Sequence, residues 1–196
     1  DTKLYRIVFS NHGGVVRSWQ LKDYKDAAGK PLELVNAKSA EKLAKSGDKA
    51  GWPLAFLYES LQPSTDPNDA LYQVTVTDGG LGVRFDYSNG RVRASKALKF
   101  AANSYLFDIT SELTDNGTGI PHLLAWRGGF GDRNAYAAEA AMKTLYYDLG
   151  NAKLVEQEGK VAKDGPATMS GTYSFAGIGD TYFLAVFLPH EKRTVK

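Results

Sequence analysis

The chain has 196 residues, 43% of them hydrophobic and 12% aromatic, with 24 Lys and Arg against 22 Asp and Glu and no Cys. A chain of this length can bury about 70% of the surface it would expose unfolded, so its core needs no covalent staples. The missing thiols exclude a disulfide scaffold, a Cys nucleophile and any Cys-ligated zinc, and a formal charge of +2 gives no argument for a polyanionic partner.

Taken in chain order, apolar and polar residues alternate with a period of two. Leu4–Phe9, Val15–Leu21, Leu32–Val35, Tyr72–Thr77 and Leu81–Tyr87 read as strands rich in β-branched and aromatic residues. Ala97–Phe100, Tyr105–Leu113, His122–Trp126, Thr144–Asp148, Lys153–Glu156, Thr172–Ala176 and Tyr182–Leu188 bring the total to about twelve. Asp78-Gly79-Gly80, Asn89-Gly90 and Asn116-Gly117 supply the positive φ that tight hairpins need, which predicts antiparallel pairing. Gly13-Gly14 fits a sharp turn or bulge between the first two strands. The last strand, apolar on both faces after a turn at Gly177–Asp180, reads as central and buried.

Helical pattern is confined to Ser39–Lys45, with Ser39 as its cap, and to the alanine-rich Ala135–Met142 after Asn134. No long repeat is visible, and the turn-rich Pro63–Asp69 is too short to be a linker. The expectation is one all-β domain over residues 1–196, built from two large packed sheets that are mostly antiparallel, with at most short helices. The longest apolar runs, such as Tyr182–Pro189, fall far short of the roughly 20 residues a membrane-crossing helix takes. A start at Asp1, with neither an initiator Met nor a signal peptide, reads as a domain cut from a longer protein.

Catalytic patterns are weak. His12, His122 and His190 stand in distant segments without the spacing of a local metal motif. The glycines of Arg127-Gly128-Gly129-Phe130-Gly131 lack the strand-to-helix context of a phosphate loop, and no Gly-x-Ser-x-Gly elbow is present. Asp108 and Asp180 read as polar positions beside turns more readily than as an acid and base pair. Most aromatics alternate inward, but Trp52-Pro53 and Trp126-Arg127 lie at element edges. Trp52, Trp126 and Arg127 are therefore the candidate contacts for a groove that receives a partner. No catalytic residue, metal or cofactor is expected.

Four stretches carry a resemblance. Phe9-Ser10-Asn11-His12-Gly13-Gly14-Val15-Val16-Arg17-Ser18-Trp19-Gln20-Leu21-Lys22-Asp23-Tyr24 with the following Gly29-Lys30-Pro31-Leu32-Glu33-Leu34-Val35, Lys99-Phe100 and Asn103-Ser104-Tyr105 leading to Asp115-Asn116-Gly117, Trp126 to Gly131, and Tyr173 to Pro189 resemble, in this order, the large periplasmic domain of the YidC/Oxa/Alb family of membrane protein insertases. The resemblance implies a β-supersandwich like that of galactose mutarotases, on the periplasmic side of the bacterial inner membrane. It implies an accessory, non-enzymatic role through contacts with Sec translocon accessory subunits or nascent membrane proteins; the near-neutral charge, for its part, is compatible with a monomeric domain. The family domain continues past Pro189 with further strands and a helix, so the resemblance also implies a domain truncated at its C-terminal end. A mutarotase-like enzyme or a carbohydrate-binding module is the alternative. The enzyme requires His122 to converge with Glu112 or Asp108 across one open pocket, and the binding module requires coplanar exposed aromatics.

Overall fold

The asparagine and glycine turns do close antiparallel hairpins in the structure, a computed structural model that describes residues 1–26, 28–130, 142–159, 171–189 and the backbone of 194–195. The chain divides into two compact units, Asp1–Gly131 and Asp132–Lys196. In the first unit, β1 (Tyr5–Ser10) pairs with β2 (Val15–Lys25) and β2 with β3 (Pro31–Glu33). Helix α1 (Ala37–Lys45) follows, then the short β4 (Ala55–Leu57). β5 (Gln73–Thr77), β6 (Gly82–Ser88), β7 (Val92–Phe100), β8 (Phe107–Asp115) and β9 (Thr118–Gly119) form a meander in sequence order, and β10 (Leu123–Ala125) returns to pair with β4.

The three-stranded sheet packs its aromatic face on the five-stranded one. Trp19 of β2 lies 5.2 Å from Phe107, Phe9 of β1 lies 5.6 Å from Phe85, and Tyr5 lies 6.2 Å from Phe100. These rings are the core of the sandwich, with Tyr5, Trp19, Phe85 and Phe100 all buried. Asn116 and Gly117 both take positive φ, 50° and 77°, which lets β8 turn into β9 within two residues. Helix α1 is capped by Asn36, whose Oδ1 accepts from the Ser39 N–H at 3.1 Å, and not by Ser39. The sequence reading placed the cap one turn too late, because Asn36 follows an apolar strand residue and reads as its end.

In the second unit, β11 (Lys143–Asp148) lies between β12 (Lys153–Glu158) and β13 (Gly171–Gly179), and β13 also pairs with β14 (Leu184–Phe187) and β15 (Thr194–Val195). Two expectations are corrected here. Gly177 to Gly179 belong to β13, and the turn sits after them, where Asp180 Oδ1 accepts from Tyr182 and Phe183 N–H at 2.7 Å each. Gly177 is needed inside the strand, because a Cβ there would stand 2.0 Å from the Ala185 carbonyl oxygen of β14. Among the described residues β14 pairs with β13 alone, and Leu184 and Phe187 are 56% and 40% exposed, so it is not a covered central strand. Apolar side chains on both faces of a strand raise the gain from burial but do not supply the layers that bury it.

The all-β, antiparallel sandwich reading stands, with the strands distributed over sheets of three, two, five and five. The expected helix at Ala135–Met142 lies almost wholly outside the described residues, as do Asn134, Gly131 and His190. No helix among the described residues is long and apolar enough to cross a membrane.

Candidate partner-binding site

The three residues singled out from the sequence come to one end of the two-stranded β4–β10 ribbon. Trp52 precedes β4, Trp126 and Arg127 follow β10, and the antiparallel register Ala55 to Ala125 sets the two segments side by side. The Leu54 N–H donates to the Ala125 carbonyl at 2.7 Å and closes that end. Their side chains then diverge. Trp52 packs against the cluster of Val15, Ala50, Ala55 and Ala125, and the Arg17 guanidinium covers its outer face at 3.9 Å from the ring centre. Trp126 packs inward on Trp19, the rings tilted at 44° with centres 5.9 Å apart, and Arg127 pairs with Asp48 in the α1–β4 connection. All three are thus occupied by contacts within the chain.

The same end anchors α1. Asn36 Nδ2 donates to the Gly128 carbonyl at 2.6 Å, and Gly51 admits the helix closely, since a Cβ there would stand 2.8 Å from the Ala40 carbonyl oxygen. Exposed Lys38, Glu41, Lys42 and Lys45 give α1 a charged outer face.

An unanticipated feature is Lys96 on β7, which is fully buried. Its Nζ donates to the carbonyls of Gly13 at 2.8 Å, Gly14 at 3.1 Å and Leu54 at 2.7 Å, and lies 4.3 Å from the centre of the Phe56 ring. Burial pulls its pKa down to about 7, opposed by the charge of Asp66. The acceptors need unusual backbone. Gly13 and Gly14 have φ of 75° and 57°, and buried Leu54 has φ of 67°, a conformation that a branched side chain rarely takes. One ammonium thus ties the β1–β2 turn and the lead into β4 to the middle of the five-stranded sheet. Asn68 adds a second tie, donating to the Phe56 carbonyl and accepting from the Phe56 N–H, both at 2.9 Å, as a strand neighbour would. Sequence reasoning missed Lys96, although Val92, Ala94, Leu98 and Phe100 flank it at the inward positions of one alternating run.

On the outer side of the same sheet a cleft of about 560 Å³ opens where β5 begins and β6 runs on without it. Gln73, Arg84, Asp86, Tyr87, Arg93 and Glu112 line it. Arg84 Nε donates to Asp86 Oδ2 at 2.7 Å. Both charge signs and an amide therefore face one concavity, a lining suited to polar peptide.

The acid and base pair required by the enzyme alternative does not assemble. His122 Nε2 is 2.9 Å from Ser111 Oγ, Nδ1 is 2.8 Å from the Ile120 carbonyl, and the ring packs edge-on against Phe56 at 4.8 Å. Ser111 shares a face of β8 with buried Leu113, whereas Asp108 and Glu112 alternate to the opposite, exposed face. Nor do Trp52 and Trp126 form the exposed aromatic platform of a sugar-binding module. Among the described residues no three His, Asp or Glu gather as a metal site would require.

Comparison with known proteins gives one consistent result. The family whose model matches is the YidC periplasmic domain, over residues 1–196. Similar curated proteins include the membrane protein insertase YidC of Geobacter sp. (strain M21), 34% identical over 63% of this chain and 24% of that protein. The membrane protein insertases YidC of Citrifermentans bemidjiense and Syntrophus aciditrophicus are 28% and 25% identical, over 94% and 97% of this chain and 34% and 35% of theirs. The chain thus spans about a third or less of the length of these relatives. No solved structure matches.

Proposed function

Because the chain belongs to the YidC periplasmic domain family, we propose that it is the accessory, non-enzymatic module of a bacterial inner-membrane protein insertase, held on the periplasmic side. The family match over residues 1–196 carries this reading. The relatives' printed name, membrane protein insertase, supports the activity of the whole protein. In this reading insertion itself belongs to the membrane-embedded part, and the sandwich contributes contacts with Sec translocon accessory subunits or with segments being inserted. The internal occupation of Trp52, Trp126 and Arg127 moves the expected contact away from those residues. The polar cleft beside β5 and β6 is the better surface, because its groups face outward from a sheet that the Lys96 ties hold in place.

Photo-reactive residues replacing Gln73, Arg93 or Glu112 around the cleft, and Lys38 or Lys42 on α1, test this in the full-length protein in its native membrane. Labelling of a Sec accessory subunit or an inserting segment from the cleft positions is the expected result. Labelling no higher than background from every face would overturn the accessory role.

A further inference from the structure

Among the described residues, the β5 edge of the five-stranded sheet is open. All five residues of β5, Gln73-Val74-Thr75-Val76-Thr77, are exposed, none is charged, and among the described residues the strand pairs only with β6. The phase of the ladder shows which backbone groups point away from β6. Phe100 N–H donates to the Leu81 carbonyl and Asn89 N–H to the Val92 carbonyl, so odd-numbered residues of β6 turn their backbone groups toward β7. Gly82, Arg84 and Asp86 turn theirs toward β5, where they face Thr77, Thr75 and Gln73. The N–H and C=O of Val74 and Val76 therefore point away from the sheet. Tyr72 has the same phase and donates to the Asn11 carbonyl at 2.9 Å, which covers the edge up to that residue. Val74 and Val76 also lie opposite Phe85 and Val83 on the core-facing side, yet are 41% and 62% exposed.

We propose that β5 pairs antiparallel with β5 of a second copy, about a two-fold axis through Thr75. A two-fold contact must be self-complementary, and this strand is, since Val-Thr-Val reads the same in both directions. In that register Val74 of each copy meets Val76 of the other and exchanges both free backbone bonds, the valines lie side by side on one face, and Thr75 meets Thr75 on the other. No Lys, Pro or bulge guards the strand against its own copy. The adjacent charge, Asp78, follows the strand and accepts from the Thr77 hydroxyl at 3.2 Å, and Arg84 and Asp86 lie one strand further in and are paired with each other. Three residue pairs make a small contact, so the association is weak and depends on concentration. It stands on the strand's own geometry and does not rest on the insertase reading.

The chain has no Cys, so a single introduced thiol reports the register. Thr75 forms a pair without backbone hydrogen bonds, which brings the two Cα atoms to about 4.5 Å, within disulfide range. Oxidation of the Thr75→Cys full chain is expected to give a covalent dimer in about tenfold higher yield than Val74→Cys or Val76→Cys, whose own copies lie two positions out of register. Adding Val76→Lys to Thr75→Cys should abolish that dimer. Similar yields at all three positions, a Thr75→Cys dimer that survives Val76→Lys, or capture of a different protein by the introduced thiol in cells would each overturn the proposal.

Discussion

β7 and β5 belong to one sheet, with β6 between them, and both alternate in sequence, yet their surroundings are opposite. On β7, Val92, Ala94, Lys96, Leu98 and Phe100 are buried, while on β5 every residue is exposed. Alternation assigns side chains to faces, but it does not say whether anything lies over a face. β7 is covered because the Gly13-Gly14 turn and the Leu54 segment reach across it and are held there by a lysine. β5 lies beyond their reach, so its core-side valines remain in solvent.

The largest expected effect comes from removing the tie that makes the difference. Lys96→Met keeps much of the side-chain volume but leaves three carbonyls without their donor, and should cost about 3–5 kcal/mol in urea unfolding. The pH dependence tests the same group. Burial lowers the Lys96 pKa from 10.5 to about 7 in the folded chain. Between those values the unfolded chain binds more protons than the folded one, so stability rises with pH across that window and levels off above it. Lys96→Met should erase the rise. A flat profile in the unmodified chain would mean instead that the three carbonyls hold the ammonium charged against the effect of burial.

That lysine also explains what was and was not legible in the sequence. Hairpin turns and the longer amphipathic strands were readable because positive-φ residues and period-two alternation are local properties. The start of β7 was not, since a charged residue at an inward position interrupts the apolar run, and the predicted strand began at Ala97, five residues after Val92. β4 was missed because three residues show no period. The candidate contacts Trp52, Trp126 and Arg127 do lie at element ends, and at the same ribbon end, but their use inside the fold depends on Arg17, Trp19 and Asp48, which are distant in sequence. The cleft depends on where β5 starts relative to the end of β6, a matter of register that no single segment specifies.

A smaller break of the same contrast acts on the acceptor side. Gly13→Ala places a Cβ in a backbone with φ of 75°, at 2.7 Å from the Asn68 carbonyl oxygen, and displaces an acceptor of Lys96. It should cost about 2–3 kcal/mol by urea unfolding, with no part of the loss recovered at high pH. Asn36→Ala, away from the tie, removes both the cap of α1 and the bond to the Gly128 carbonyl and should cost about 2 kcal/mol, with the loss read from the same midpoint shift.

The smallest effect is expected at the open edge. Val76 occupies a core-side position, as Lys96 does, so a rule based on faces alone would predict that a charge there is severely destabilising. Its exposure of 62% argues otherwise, and Val76→Lys should move the unfolding midpoint by less than the equivalent of about 0.5 kcal/mol. A larger loss would mean that β5 is covered in solution. An unchanged midpoint together with loss of the disulfide-linked Thr75→Cys dimer would show that the exposed valines contribute to pairing between copies and not to the fold.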